Sequence, residues 1–147
     1  MTALILMSLL VLFGYRAIGN MRARGEQAKY IEFRSRITGV IGSTMDFGSG
    51  RRVTMGLPGA YTGLCFIDNE VAINYLGDIN DPIISGHIED GLKENLFLIK
   101  GMMAEPPPIY AGEIKLDPPG MVCVSEELGK VTFKIEGFGK YAKILPD

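Results

Sequence analysis

The first thirteen residues, MTALILMSLLVLF, contain no charge, no proline and no glycine, and the first charged side chain is Arg16. As a helix this run is about 20 Å long, shorter than the roughly 20 residues that span a bilayer core. Continued to Gly19 or Met21 it reaches spanning length if Arg16 snorkels toward an interface. Ten of its side chains are large and apolar (Met1, Leu4, Ile5, Leu6, Met7, Leu9, Leu10, Val11, Leu12 and Phe13). Each gains roughly 1.5–3 kcal/mol on full burial, a sum comparable with the stability of a whole domain. They surround the helix on every side, so packing one face against a neighbouring domain does not cover them. Such a segment has to enter lipid or a bundle of like helices.

Length alone also suits a signal-peptide core, but no basic region precedes the run and no small-x-small site follows it, so a retained segment is expected. Positive charge lies only on its C-terminal side, which by the positive-inside rule places the rest of the chain in the cytoplasm. A basic leader removed before assembly reverses that orientation.

After Gly14 the pattern turns amphipathic. Ile18, Met21, Ala28, Ile31, Ile37 and Ile41, with Gly25 among them, recur at helical spacing, and charges fill the other side. Arg22 with Glu26 and Glu32 with Arg36 stand at i,i+4, where each pair contributes a few tenths of a kcal/mol. No proline occurs before Pro58, so one helix is expected from near Met1 to about Met45. Gly14, Gly19 and Gly25 are its weak points, each costing about 1 kcal/mol relative to alanine. The expected organisation is residues 1–47 as an N-terminal helix, with 1–15 in a filament core or membrane and 16–47 as a stalk, and residues 48–147 as a head.

The net charge of −2 conceals a division between these parts. Residues 1–52 hold eight basic groups against three acids, or +5, and the remaining seven bases and fourteen acids leave residues 53–147 at −7. A basic stalk on an acidic head favours attraction between copies, and charge alone equally fits a solvated basic helix on an ordinary acidic domain.

From about residue 50 strands and turns replace the helix. Arg51–Leu57 and Tyr61–Asp68 flank Pro58-Gly59, a hairpin signal. Further strands are expected at 94–100, 109–116, 121–126, 129–137 and 140–144, with a short helix within 82–92. Val131, Phe133 and Ile135 alternate with Thr132, Lys134 and Glu136, as in a half-exposed strand. The proline clusters at 106–108 and 118–119 read as loops. The expected class is α+β: a long N-terminal helix followed by an antiparallel β-sandwich head. Cys65 and Cys123 each fall in an apolar strand. Whether they form a disulfide, which implies an oxidising compartment, or remain two buried thiols is open at this point.

The inventory for chemistry is thin: one histidine, two cysteines and no tryptophan. His87, beside Glu89 and Asp90, reads as a solvated loop histidine rather than a general base. Asp78, Asn80, Asp81 and Glu89 resemble part of a calcium loop, but Pro82 takes its fifth position and Ile83 replaces the glycine it needs. Gly48-Ser49-Gly50 before Arg51-Arg52 lacks the strand–GxxxxGK–helix context of a phosphate loop and reads as a flexible joint. The basic helix face invites nucleic acid, but the apolar lead argues against it. No sequon occurs at any asparagine. Catalytic residues, metal, cofactor and nucleic-acid partner are therefore not expected.

An uncharged apolar start (MTALILMSLLVLFGY), a long amphipathic continuation and a β-rich head together resemble the type IV pilins, and the archaeal branch most closely. The phrases RRVTMGLPGAYTGLCFID, ENLFLIKG and GKVTFKIEGFGKYAKI are similar to heads carried by archaeal proteins with such an N-terminus, and Ile5 stands where bacterial type IV pilins have a glutamate. The resemblance implies a short basic leader removed by a peptidase. It implies a precursor held in the inner or plasma membrane, and then a homo-oligomeric helical filament outside the cell. The filament core would contain Leu4, Ile5, Leu6, Leu9, Leu10, Leu12 and Phe13. Adhesion through an unidentified surface receptor is the expected task. A motility filament of archaellin type and a single-pass anchored binding domain are the alternatives.

Overall fold

A computed structural model describes residues 2–147, with side-chain surroundings from residue 3, so the expectation for Met1 lies outside the described residues. Helix α1 (Thr2–Ser43) is continuous for 42 residues, about 63 Å at 1.5 Å per residue. Eight strands follow: β1 (Gly50–Gly56), β2 (Gly63–Ile67), β3 (Leu96–Lys100), β4 (Met103–Ile109), β5 (Ile114–Leu116), β6 (Met121–Ser125), β7 (Lys130–Gly137) and β8 (Ala142–Pro146). A 3-10 helix (Ala72–Asp78) and helix α2 (Pro82–Glu89) lie between β2 and β3. The strands form two four-stranded sheets, ordered β1-β7-β8-β5 and β4-β3-β2-β6. The fold is α+β with a sandwich-like head, as the sequence predicts.

Alternation builds the interior. Val131, Phe133 and Ile135 of β7 point inward with Val53 and Met55 of β1, and they meet Leu64, Phe66, Leu96 and Leu98 of the opposite sheet. Phe66 and Phe133 pack edge to face across the sandwich at 5.0 Å between ring centres, the preferred geometry for two aromatic quadrupoles. The outer face of the second sheet is covered too. Cys65, Ile67 and Phe97 bury against Ala72, Ile79, Ile84 and Ile88. This explains why β2 is buried along its whole length and why its sequence shows little alternation.

Four expectations require correction. Pro58-Gly59 does not close a hairpin, because β1 pairs with β7 while β2 pairs with β3 and β6. The turn instead carries the chain from one sheet to the other, so that both strands bury their apolar faces in one core. Pro106-Pro107-Pro108 lies inside β4 rather than in a loop. That strand sits at a sheet edge, where a residue lacking N–H breaks no ladder. The stretch 109–116 divides between the end of β4 and β5, separated by the crossing between sheets. Finally, β5 runs parallel to β8, so the first sheet is mixed rather than wholly antiparallel.

The last third of α1 is part of the head's core. Phe33, Ile37 and Ile41 are buried with the inward residues of both sheets, and Tyr30 and Val40 pack beside them. Their spacing of four residues places them on one helical stripe. It is not the predicted stripe: Ile37 and Ile41 belong to it, but Ile18, Met21 and Ile31 are exposed. Phe33, in their place, faces the sandwich. Neither Arg22–Glu26 nor Glu32–Arg36 closes to an ion pair among the described residues, as expected of long solvated side chains.

The turn after α1 is pinned rather than free, contrary to the flexible joint expected of Gly48-Ser49-Gly50. Gly48 N donates to Gly137 O at 3.2 Å, and Gly137 N donates to Ser49 O at 2.7 Å. Arg51 closes the helix terminus, with Nε donating to Thr44 Oγ1 at 3.0 Å and Nη2 to Val40 O at 3.2 Å. The bond to Val40 O satisfies a carbonyl that a helix end otherwise leaves unpaired.

Cys65 and Cys123 are joined, and they stand directly opposite each other on β2 and β6. Closing a 58-residue separation contributes about 4 kcal/mol in the chain-entropy model. Replacing both cysteines with alanine should therefore lower the unfolding free energy by about 2–5 kcal/mol in denaturant titration. Gly137 provides a second check, because a Cβ there would meet the backbone carbonyls of Thr44 and Asp46. Gly137→Ala should cost about 1–3 kcal/mol or more, whereas Gly39→Ala, with open space around it, should raise stability slightly.

Candidate functional site

Nine consecutive or near-consecutive large side chains of α1, from Leu4 to Phe13, are 48–73% exposed. Leu4, Ile5, Leu6, Leu9, Leu10, Leu12 and Phe13 are among them, and nothing in the single chain covers any. Among the described residues Ala3–Ser43 is the one helix whose length and composition suffice to cross a membrane. Because α1 is continuous and anchored in the head through Phe33, Ile37 and Ile41, this apolar segment extends away from the sandwich.

Register places the ends of the head. Gly50 of β1 stands opposite Glu136, and Ala142 of β8 opposite Gly137 and Ile114. The C-terminus of α1 lies at this same end, where Met45 O accepts from Gly139 N at 2.6 Å. The other end is formed by Gly56, Gly63 and Lys100. There a cleft of about 580 Å³ opens between Ala23–Ile31 of α1 and the Pro58–Tyr61 turn, with Lys100, Glu105 and Pro107 on its wall. The apolar segment thus leaves the head at the cleft end, and the opposite pole is distal to it.

Two tyrosines shape the cleft. Tyr30 Oη donates to Pro107 O at 3.2 Å, and burial raises its pKa against the opposing charge of Arg34. Tyr61 is likewise raised by burial and then by the neighbouring Glu105 carboxylate. Glu105 in turn lies 3.7 Å from Lys100. Both phenols therefore remain neutral donors over the physiological range. The sequence reading did not single out this cleft. Its signals were Tyr30 and Tyr61 beside Pro58 and Pro107, residues that give no hint of proximity until α1 is known to fold back along the sandwich.

At the distal pole a smaller cleft, about 350 Å³, is lined by Asp68, Asn69, Tyr110, Glu113 and Lys115 among others. Most of its polar groups serve one another. Lys115 pairs with Glu70 and lies 3.7 Å from Asp68 Oδ1. Tyr110 Oη donates to Glu113 Oε1 at 2.8 Å. Asn69 Nδ2 donates to Lys93 O at 2.9 Å.

Of the other candidate residues, Asp78, Asn80 and Glu89 are exposed, and His87, Asp81, Arg51 and Arg52 are occupied structurally. His87 is not a loop histidine: it sits in the last turn of α2, only 8% exposed, with Nε2 3.0 Å from Glu94 O and its ring edge-on to Phe97. Asp81 caps α2, with Oδ1 accepting from Ile83 N at 2.9 Å and Oδ2 from Ala104 N at 2.5 Å. Pro82 in the first helical turn completes a standard helix start. Arg51 serves the end of α1, and Arg52 pairs with Asp147. No group of three potential metal ligands occurs among the described residues.

No family model, curated protein or solved structure matches this chain. The functional reading therefore rests on the chain's own geometry.

Asp68 makes the polar pole testable. Its carboxyl pKa is raised, first by burial, with Lys115 acting in the opposite direction. A raised folded-state pKa gives stability that is fully present below the unfolded value and is lost as pH rises through the folded value. Relative to Asp68→Asn, the wild type should therefore lose unfolding free energy as pH rises from the ordinary carboxylate range to just above it. Urea titrations at closely spaced pH values read that slope, and a flat difference would contradict it.

Proposed function

We propose that this chain is a structural subunit that polymerises through the apolar start of α1 into an extracellular filament of type IV pilin character, probed most naturally as an attachment fibre. The observation carrying this reading is the apolar surface of Leu4–Phe13, exposed on all sides of a helix rooted in the head. Its burial is worth well over 10 kcal/mol at roughly 1.5 kcal/mol or more per side chain. Lipid covers it in the precursor, and like helices cover it in the fibre. The disulfide agrees with assembly in an oxidising compartment. The reading involves no reaction: His87 packs on Phe97 and Asp81 caps α2, while Asp78, Glu89 and Asp90 are exposed.

Assembly by apolar helices needs the head to remain outside the core. The two-sheet head has its own core between and behind the sheets, formed without residues 1–13. The basic stalk and acidic head then bring neighbouring copies together with opposite charges facing.

Cells producing the full-length chain should carry thin fibres that shear releases and negative-stain electron microscopy displays. Mass spectrometry should find this chain as their main component. Leu9→Arg should abolish the fibres while leaving the head's unfolding transition in place. A chain recovered only in detergent, without fibres, would instead identify a single-pass anchored binding domain.

A further inference from the structure

Three aromatic side chains lie at the pole of the head farthest from the apolar segment, Phe47 and Phe138 exposed and Tyr141 half-buried. Phe47 is 83% exposed in the turn after α1. The 138–141 turn is joined to the turn that carries Phe47, because Gly139 N donates to Met45 O. There Phe138 and Tyr141 stack at 5.2 Å between ring centres. An isolated domain gains nothing from holding Phe47 in water, and the turn carrying it is rigidly tied to Gly137. Two charges flank this patch, Asp46 and Lys140, and neither makes an ion pair among the described residues.

The cleft between α1 and the Pro58–Tyr61 turn lies at the opposite pole. Strand β1, seven residues long, separates the two ends, a distance of about 20 Å. Its walls offer Tyr30, Ile31, Pro58, Tyr61 and Pro107, a surface suited to an aromatic ring. Here too one acid and one base without ion-pair partners among the described residues flank the apolar centre: Glu26 lines this cleft, and Lys29 lines the shallow groove beside it.

We infer that the distal aromatic patch around Phe47 of one copy docks into the α1–Tyr61 cleft of the next, with Lys140 facing Glu26 and Asp46 facing Lys29. This inference rests on the filament reading and adds the contact that sets its axial order. The two surfaces differ and lie at opposite poles along α1, so the contact is heterologous and open-ended, which generates a filament rather than a closed pair. It also gives the exposed stalk a neighbour. Residues 14–29 carry Arg16, Arg22, Arg24 and Lys29 against Glu26 alone, a charge of +3, and the acidic head of the docked copy comes beside them.

The test uses the full-length chain carrying both Ile31→Cys and Phe47→Cys. Within one chain these positions are separated by twelve helical residues and a turn, about 18 Å or more. No internal disulfide can join them. Oxidised fibres should give a ladder of dimers, trimers and higher species on a non-reducing gel, and either single variant, having no thiol across the contact, should run as a monomer. Wild-type fibres accompanied by double-variant fibres that fail to ladder would overturn the contact while leaving the filament reading intact. If the double variant does not assemble, charge reversal decides. Lys140→Glu and Glu26→Lys should each lower fibre yield severalfold at low salt, and their combination should restore it. Single reversals without effect would overturn the contact. Absence of wild-type fibres would remove the filament reading and the contact with it.

Discussion

The burial of Phe33, Ile37 and Ile41 between the two sheets is the interaction on which the rest of the molecule depends. Three side chains fully removed from water contribute about 5 kcal/mol or more, a large part of a typical domain's stability. That contribution keeps α1 from acting as a tether. The same helix is a core element along its last third, a solvated stalk in its middle and an uncovered apolar rod at its start. Movement of the head relative to the rod would have to break the sandwich core or bend the helix itself. Gly14, Gly19 and Gly25, all in open space, are where bending costs least.

The closing turn strengthens the same arrangement. Arg51, Gly48 and Gly137 join the C-terminus of α1 to β1 and β7 through hydrogen bonds rather than apolar contact. Gly137 allows two carbonyls of the turn to approach the sheet closely enough to exclude any side chain. Helix direction is thus set by packing along its length and by hydrogen bonding at its end, so the exit angle of the apolar segment is a property of the folded head.

Local patterns were legible in the sequence, and partnerships were not. The apolar start, the continuous helix and the alternation at Val131, Phe133 and Ile135 each follow from periods of 3.6 or 2. The partner of β1 does not, because Pro58-Gly59 turns the chain equally well within a sheet or between sheets, and only the shared core selects β7. Phe33 was passed over because Ile31 completes an equally good stripe; the choice depends on which face meets the sandwich. Pro106–Pro108 resembled a loop because edge strands escape the rule that excludes proline from central ones. The same limit hid the cleft, whose walls come from residues as far apart as Tyr30 and Pro107. The pairing of Cys65 with Cys123, left open by sequence, is explained by the facing registers of β2 and β6.

An apolar rod alone specifies burial but not register. Leu, Ile, Met and Val side chains around a helix pack acceptably at many axial offsets, since the hydrophobic effect is non-directional. Aggregation of such rods would be tight and disordered. Order requires a second contact with a single geometry, rigidly connected to the rod so that fixing one fixes the other. The anchored helix supplies that connection, and a head whose opposite poles present an aromatic protrusion and a cleft supplies the geometry. The two contacts also separate in kind. In the filament proposed above, rod burial gives most of the association energy, while a modest heterologous contact selects one offset among many. On that proposal, loss of the weaker contact disorders the assembly before it dissolves it.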